Sequence, residues 1–348
     1  MTQPLRVASV GLGRWANVIA AAVRRSSELE LVGCFSRRAQ ARSDFAAAHG
    51  CAPASSLEEL LARPDLDALL VTVPNHVHAE VIERAARAGK HVFVEKPLAA
   101  SIEDGLRIVE AVRSSGIKLM VGHSARMLAG SRRIRRLIDD GELGDLSLVE
   151  ANFSNDRALE LTPDRWRADP DRNPGGPLIQ LAVHQFDLIR SWLGPVEAVA
   201  ARIGHLHTRT RVPDLATCLL RLASGPFAYV GSSWSSSAAY WARVYGSRAN
   251  AHLEVDFRYW NQGERVDAHS RLRIEPNGGD PYEVELEPAD MYRDELEELA
   301  RSVREDRTPE VSAEVGLANL AVVHAALRSA ESGREVRIDE VLPEGVRA

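Results

Sequence analysis

Lys96 and His184 are the two side chains whose type and setting could move a proton. Lys96 closes the stretch His91 to Pro97, HVFVEKP. Val92, Phe93 and Val94 form a short apolar run of the kind a strand buried on both faces requires, and it stops at an acid, a base and a proline. Pro97 has fixed φ and no N–H, so the strand ends there and the lysine is expected at its carboxyl edge. In a parallel sheet covered by helices, that edge lines the crevice where ligands bind. Of 43 Lys+Arg, only Lys90, Lys96 and Lys118 are lysines. A guanidinium cannot release a proton near neutrality, whereas an ammonium can. The plain alternative is a strand-end lysine pointing into water.

The second candidate stands on a predicted helix, Pro177 to Leu193, PLIQLAVHQFDLIRSWL. Leucines, isoleucines, Val183, Phe186 and Trp192 cover most of its circumference, which predicts burial nearly all round. Gln180, His184 and Asp187 then form one polar stripe at i, i+4 and i+7. Such a stripe must face partners or a cleft, because an unpaired polar group in a core is costly. His184 is either a tunable proton acceptor or a core histidine bonded to a backbone carbonyl. Gly175 and Gly176 ahead of the helix let a loop approach something closely.

These groups need elements to hold them. The predicted strand Leu5 to Val10 runs into Gly11-Leu12-Gly13-Arg14-Trp15-Ala16 and then a helix-forming run, matching G-x-G-x-x-A. The first glycine permits a tight turn, the second lets the backbone approach a pyrophosphate, and the small third residue lets helix pack on strand. The helix N-terminus offers its N–H groups to phosphates. A second strand, Leu29 to Phe35, ends in Ser36, Arg37 and Arg38, where an NAD site commonly has a carboxylate for the ribose hydroxyls. A hydroxyl and two guanidiniums suit a 2′-phosphate instead, so NADP(H) is expected to be preferred, with NAD(H) possible.

Further along, Ser56 and Glu59 form a capping box before Pro64, and Ala68 to Val73 is the next buried strand, ending in Pro74-Asn75-His76-Val77-His78. His76 and His78 have no third ligand nearby, so a cofactor-facing loop is expected and no metal. A helix to Ala88 leads to the lysine strand. A helix capped at Ser101 and ending at Gly116 leads to a strand over Ile117 to Val121. Strands alternating with helices predict a doubly wound parallel sheet, a Rossmann domain over 1–122. From Leu146 the rhythm changes to strands joined by short turns, 146–153, 197–206, 215–223, 226–236, 240–246 and 250–257, with a hairpin at Ser224-Gly225. The second domain, 123–348, is therefore an α/β domain with a large, mostly antiparallel open sheet, and a closing helix at about 311–332 is expected to pack at the domain interface.

Composition limits the partners. At 45% hydrophobic and 26% charged, each half can bury a core, and a net charge of −6 argues against nucleic acid and anionic membranes. The basic run Arg132 to Arg136 alternates with apolar residues at helical spacing and reads as a solvated helix face. Cys34, Cys51 and Cys218 are far apart, odd in number and without C-x-x-C spacing, so neither a disulfide framework nor a zinc site is expected. No apolar stretch approaches the roughly 18 residues of a membrane span, and a cytoplasmic location is expected.

GLGRWA, VPNHVH, AGKHVFVEKP, Trp166-Arg167 and the glycine pair followed by His184 and Asp187 together resemble the Gfo/Idh/MocA oxidoreductase family over essentially the whole chain. The resemblance implies that Lys96 and His184 lie at the nicotinamide and the substrate carbon as catalytic groups. Cofactor contacts are expected from Gly11, Leu12, Gly13, Arg14, Trp15, Ser36, Arg37, Arg38, Val73, Pro74, Asn75, His78, Glu95 and Lys96, and substrate contacts from Lys96, Arg126, Trp166, Arg167, Gln180 and His184. One departure is Gln180, where the family commonly has Asp; an amide hydrogen-bonds a hydroxyl but carries no charge. Some relatives acting on nucleotide sugars or aromatic dihydrodiols have an amide at this place. The expected activity is hydride transfer between nicotinamide and a secondary alcohol or ketone on a small polyol or sugar-like substrate (a sugar, cyclitol, nucleotide sugar or cyclic dihydrodiol), in a homodimer or homotetramer formed through the open sheet, whose aromatic positions include Phe227, Tyr229, Trp234, Tyr240 and Trp241. The alternatives are a glycoside hydrolase that uses a bound dinucleotide for transient redox, and an NADP(H)-sensing protein without chemistry.

Overall fold

The computed structural model describes residues 3–343. These divide into two compact units, one made of residues 3–123 and 292–317 and the other of 124–291 and 318–343.

In the first unit six parallel strands stand in the order β3 (Ala52–Pro53), β2 (Leu29–Phe35), β1 (Leu5–Val10), β4 (Ala68–Val71), β5 (His91–Glu95), β6 (Leu119–Gly122). This 3-2-1-4-5-6 order puts the switch point between β1 and β4, the place where such sheets bind dinucleotides. β4 and β6 are buried throughout, as sheets covered on both faces require. The connecting helices are α1 (Arg14–Arg25), α2 (Ala39–His49), α3 (Leu57–Leu61), α4 (His78–Arg87) and α5 (Ile102–Ser115). Ser101 Oγ accepts from Asp104 N (3.1 Å) at the start of α5, and Gly116 ends it in the left-handed region. At α3, Ser56 accepts from Glu59 N (3.0 Å), but the Glu59 carboxylate reaches back to Ser55 N (2.8 Å), one residue earlier than a capping box. β4 ends at Val71 rather than Val73, because Thr72 turns to bond Val10 O through its N–H and Gly11 O through its hydroxyl (2.9 and 2.5 Å).

The division differs from the expected one-cut boundary, since 292–317 folds with the first unit. Helix α9 (Met291–Arg304) and the segment after it explain it: Glu297 accepts from Ser26 Oγ (2.7 Å) and Arg304 pairs with Glu28 (2.6 Å) on the helix, and beyond it Val311 O accepts from Val121 N (2.8 Å). α10 (Ala313–Ser332) begins in this unit, where Gly316 lies so close to Val121 and Leu98 that a Cβ would meet them at 2.8 and 3.1 Å.

The second unit carries nine strands in the order β14 (Tyr282–Val284), β13 (Ser270–Pro276), β12 (Ala249–Val255), β11 (Ala239–Gly246), β7 (Leu146–Ser154), β10 (Phe227–Ser233), β9 (Leu215–Leu222), β8 (Val196–Gly204), β15 (Val336–Arg337). All neighbours pair antiparallel except β7 with β10, which run parallel at the centre. β9 and β10 form the expected hairpin. The strands β13, β14 and β15 carry no reading in the sequence, being short or charged along one face. Helix α6 (Ala129–Asp139) buries Ile134 and Leu137 and leaves Arg132, Arg135 and Arg136 exposed, and α7 (Val183–Leu193) packs on β7 and β10. Helix α8 (Gly263–Val266) is a single turn. The opposite sheet face leaves Leu219, Phe227 and Tyr229 46%, 46% and 38% exposed. Trp234 and Tyr240, read as positions on that open sheet, are instead buried on the core side. Among the described residues no helix is long and apolar enough to cross a membrane.

Candidate active site

In the first unit, the loop after β1 is built around Gly11, with φ at +90°. A Cβ there would lie 2.7 Å from Val73 N and Cγ1, so only glycine lets the β1 and β4 loops meet. Gly13 caps α1 in extended backbone with open space above it, and neither an acidic residue nor a side-chain cap occupies the first turn. Leu12 packs inward beside Ala16 and Cys34, while Arg14 points outward. Trp15 donates its indole N–H to the Glu95 carboxylate and sets its ring edge-on to Tyr292 (5.5 Å, 89°). Glu95 is buried, and burial pushes its carboxyl up to about 7, against the opposing pull of Lys96 and the Trp15 bond. Lys96 follows directly at the carboxyl edge of β5, half-buried, as the apolar run implied.

At the end of β2, Ser36 is half-buried and Arg37 and Arg38 are exposed. Arg42, unread in the sequence, steadies this loop by donating to Ser36 O (2.8 Å) and Arg37 O (3.4 Å). After β4, Val73 backs Gly11, Pro74 starts a short turn, and Asn75 is buried with its Nδ2 lacking a hydrogen-bond partner among the described residues. His78 departs from the reading of a cofactor-facing residue: it is 0% exposed, with Nε2 3.0 Å from Val73 O and Nδ1 3.1 Å from Pro97 O and Leu98 O. Its ring ties the β4 loop to the chain beyond Lys96, and burial lowers its pKa. The open glycine cradle, the uncapped N-terminus of α1 and the unsatisfied Asn75 amide fit a dinucleotide.

In the second unit the predicted helix begins with a π-helical turn, Leu178–Ala182, before α7. Gly176, at φ +51°, lies so close to Pro213 that a Cβ would sit 2.2 Å from its carbonyl oxygen. The stripe divides into three settings. Gln180 donates to Asn173 Oδ1 (2.8 Å) and accepts from Arg167 Nε (3.4 Å); Arg167 stacks 4.3 Å over the Trp166 ring. His184 is 4% exposed inside an aromatic box, edge-on to Trp260 (5.6 Å, 89°) and tilted to Phe153 (5.4 Å), with Tyr240 next to both of those rings. Asp187 is fully buried and accepts two bonds from Arg126 (2.6 and 2.7 Å) and one from Asn319 (2.6 Å). Arg126 therefore departs from the reading of a substrate contact: its guanidinium, on a side chain 10% exposed, is committed to a carboxylate. Arg190 completes the cluster by donating to Asn319 Oδ1 (2.6 Å), and burial lowers it to about 10 although Asp187 opposes the shift. Asn173, Asn319 and the aromatic box carry no local motif, which is why the sequence alone passes over them.

Residues 5–123 match the oxidoreductase family with an NAD-binding Rossmann fold, and residues 131–252 match the Gfo/Idh/MocA C-terminal domain. The chain belongs to the Gfo/Idh/MocA family. It is accordingly an NAD(P)-dependent oxidoreductase, of the two-part architecture described above. A crystal structure of a proposed NADPH-dependent oxidoreductase from Desulfitobacterium hafniense is 40% identical, covering 99% of this chain and 100% of that one with a TM-score of 0.96. Inositol 2-dehydrogenase of Rhizobium meliloti is 29% identical over 96% of this chain and 99% of its own, and D-xylose 1-dehydrogenase (NADP(+)) 2 of Haloferax volcanii is 32% identical over 82% and 84%. Among the described residues no group of three or more His, Cys, Asp or Glu could hold a metal.

Proposed function

We propose that this Gfo/Idh/MocA protein is an NADP(H)-preferring oxidoreductase that moves hydride between nicotinamide and a secondary alcohol or ketone carbon of a sugar, cyclitol, nucleotide sugar or cyclic dihydrodiol. The observation that carries the cofactor choice is the end of β2, where Ser36, Arg37 and Arg38 stand without a carboxylate and Arg42 fixes the loop. The relatives named for NADP support it. Neutral hydrogen-bonding groups at Gln180 and Asn173, beside Trp166 and Arg167, suit hydroxyls on a ring.

When bound, the dinucleotide supplies the hydride donor or acceptor. The protein's share is alignment and proton transfer. Lys96 and His184 are the groups assigned to proton transfer. The first unit takes the dinucleotide and the second the substrate, and the open sheet face bearing Leu219, Phe227 and Tyr229 is assigned to a symmetric partner in a homodimer or homotetramer.

The test is a screen of aldoses, cyclitols, nucleotide sugars and dihydrodiols with NADP+ and NAD+, following nicotinamide absorbance. Reduction with a higher kcat/KM for NADP+ is expected, and Lys96→Arg or His184→Ala should lower kcat by on the order of 10²- to 10⁴-fold while NADPH still binds. No reduction with any polyol, together with release of the aryl group from aryl glycosides, would overturn the proposal.

A further inference from the structure

Cys34 and Cys51 are separated in sequence, yet the fold places their thiols together. Cys34 lies on β2, wholly buried against Ala16, Ala20 and Phe45. Cys51 directly follows Gly50, which ends α2, and packs half-buried against the same cluster, where the two thiols influence one another's ionisation. Guanidiniums flank the pair. Arg63 stands on the Cys51 side, held by Asp65 (2.9 Å) and Val32 O (3.1 Å), and Arg42 on the Cys34 side. The Cys34 thiol donates to the Arg42 carbonyl at 3.7 Å, and Arg42 is the residue whose side chain holds the Ser36 and Arg37 carbonyls. The dithiol thus sits directly beneath the loop that meets the adenosine end of a dinucleotide.

We propose that Cys51 and Cys34 form a peroxide-responsive pair whose disulfide loosens dinucleotide binding at the Ser36–Arg38 loop. Cys51 is the attacking group, because it is the more accessible sulfur and the neighbouring Cys34 thiol and the Arg63 charge hold its pKa below that of an ordinary thiol, while the Cys51 contact and burial push Cys34 up. In the first step the Cys51 thiolate attacks a peroxide oxygen: an S–O bond forms, the O–O bond breaks, and the departing hydroxide takes up a proton as water. Cys51 is then a sulfenic acid, oxidised by the two electrons that reduced the peroxide. In the second step the Cys34 sulfur attacks the Cys51 sulfur, the S–S bond forms, and hydroxide leaves with the Cys34 proton as water. Two thiols and one hydrogen peroxide give one disulfide and two waters. The Cys34 donor to Arg42 is consumed, and β2 becomes tied to the residue beyond α2, so the loop between them must shift. A disulfide of this kind in a reducing compartment is transient and regulatory rather than structural. The inference rests on the dinucleotide domain and not on the identity of the substrate.

The experiment treats the full chain with hydrogen peroxide, alkylates it, and maps peptides by mass spectrometry alongside NADPH and NADH titrations by nicotinamide fluorescence. The expected result is a cross-linked pair of peptides containing Cys34 and Cys51, lighter by two hydrogens and restored by dithiothreitol. Dinucleotide Kd should rise by on the order of 5- to 10-fold and recover on reduction. Cys51→Ser should show no change in Kd under the same treatment. Cys34→Ala, which keeps a small apolar residue in the core, should stop at a sulfenic acid on Cys51 trapped by dimedone. Cys218, buried with its thiol pushed up to about 12, should stay unmodified. An unmodified Cys51, a cross-link without a change in Kd, or an equal rise in Kd in Cys51→Ser would each overturn the proposal.

Discussion

Replacing Glu95 by glutamine should change how the stability of the protein depends on pH. The carboxyl is 9% exposed, and its pKa rises from an ordinary 4.5 to about 7 because burial disfavours the anion more than Lys96 and Trp15 favour it. A pKa raised on folding means the folded state holds the proton more tightly than the unfolded chain. The resulting stabilisation is complete below pH 4.5 and is lost as pH rises through about 7. At about 1.4 kcal/mol per pH unit, the interval between 4.5 and about 7 amounts to about 3 kcal/mol. Glutamine mimics the protonated acid, still accepts from the Trp15 indole, and does not titrate. The gap in unfolding free energy between Glu95→Gln and wild type should therefore shift in favour of the variant by about 3 kcal/mol between buffer below pH 4.5 and mildly alkaline buffer. Urea unfolding of the dinucleotide-free protein across that range measures it. Parallel curves for the two proteins would refute the reasoning, since they would mean that Glu95 is ionised at no cost in the folded state.

Arg37→Ala should weaken NADPH binding by about 10- to 150-fold and leave NADH binding unchanged, read by fluorescence titration; equal losses would remove the 2′-phosphate assignment. Arg126→Met leaves Asp187 buried without its bidentate partner and should cost about 3–5 kcal/mol in urea unfolding. Adding Asp187→Leu should recover only part of that, because the buried Arg190 guanidinium then loses the carboxylate that opposes its shift. Light scattering at micromolar concentration should show a dimer or tetramer that Leu219→Glu with Tyr229→Glu breaks into smaller species; a wild-type monomer would remove the interface assignment.

Much of the first unit was legible because its signals are local. The run at Val92 to Val94, the stop at Pro97 and the glycines at 11 and 13 each act within a few residues, and backbone sterics leave them one reading. β1, β2 and α5 accordingly fall where the periodicity and caps put them. Lys96 at the strand edge and His184 on a buried helix followed from the same rules. What the tertiary structure alone decided concerns partners distant in the chain. Asp187 stood on a stripe that had to face partners or a cleft, and only the fold brings Arg126 and Asn319 from elsewhere as those partners. His78 looked like a loop residue, and three carbonyls close over it. Residues 292–317 fold with the first unit through contacts such as Arg304 with Glu28, and Cys34 meets Cys51 only once α2 has folded back on β2. Sequence spacing encodes the period of an element and the chemistry of its ends. Which side chains neutralise, bury or activate one another depends on how those elements pack, and packing is set by long-range contacts that no local window contains.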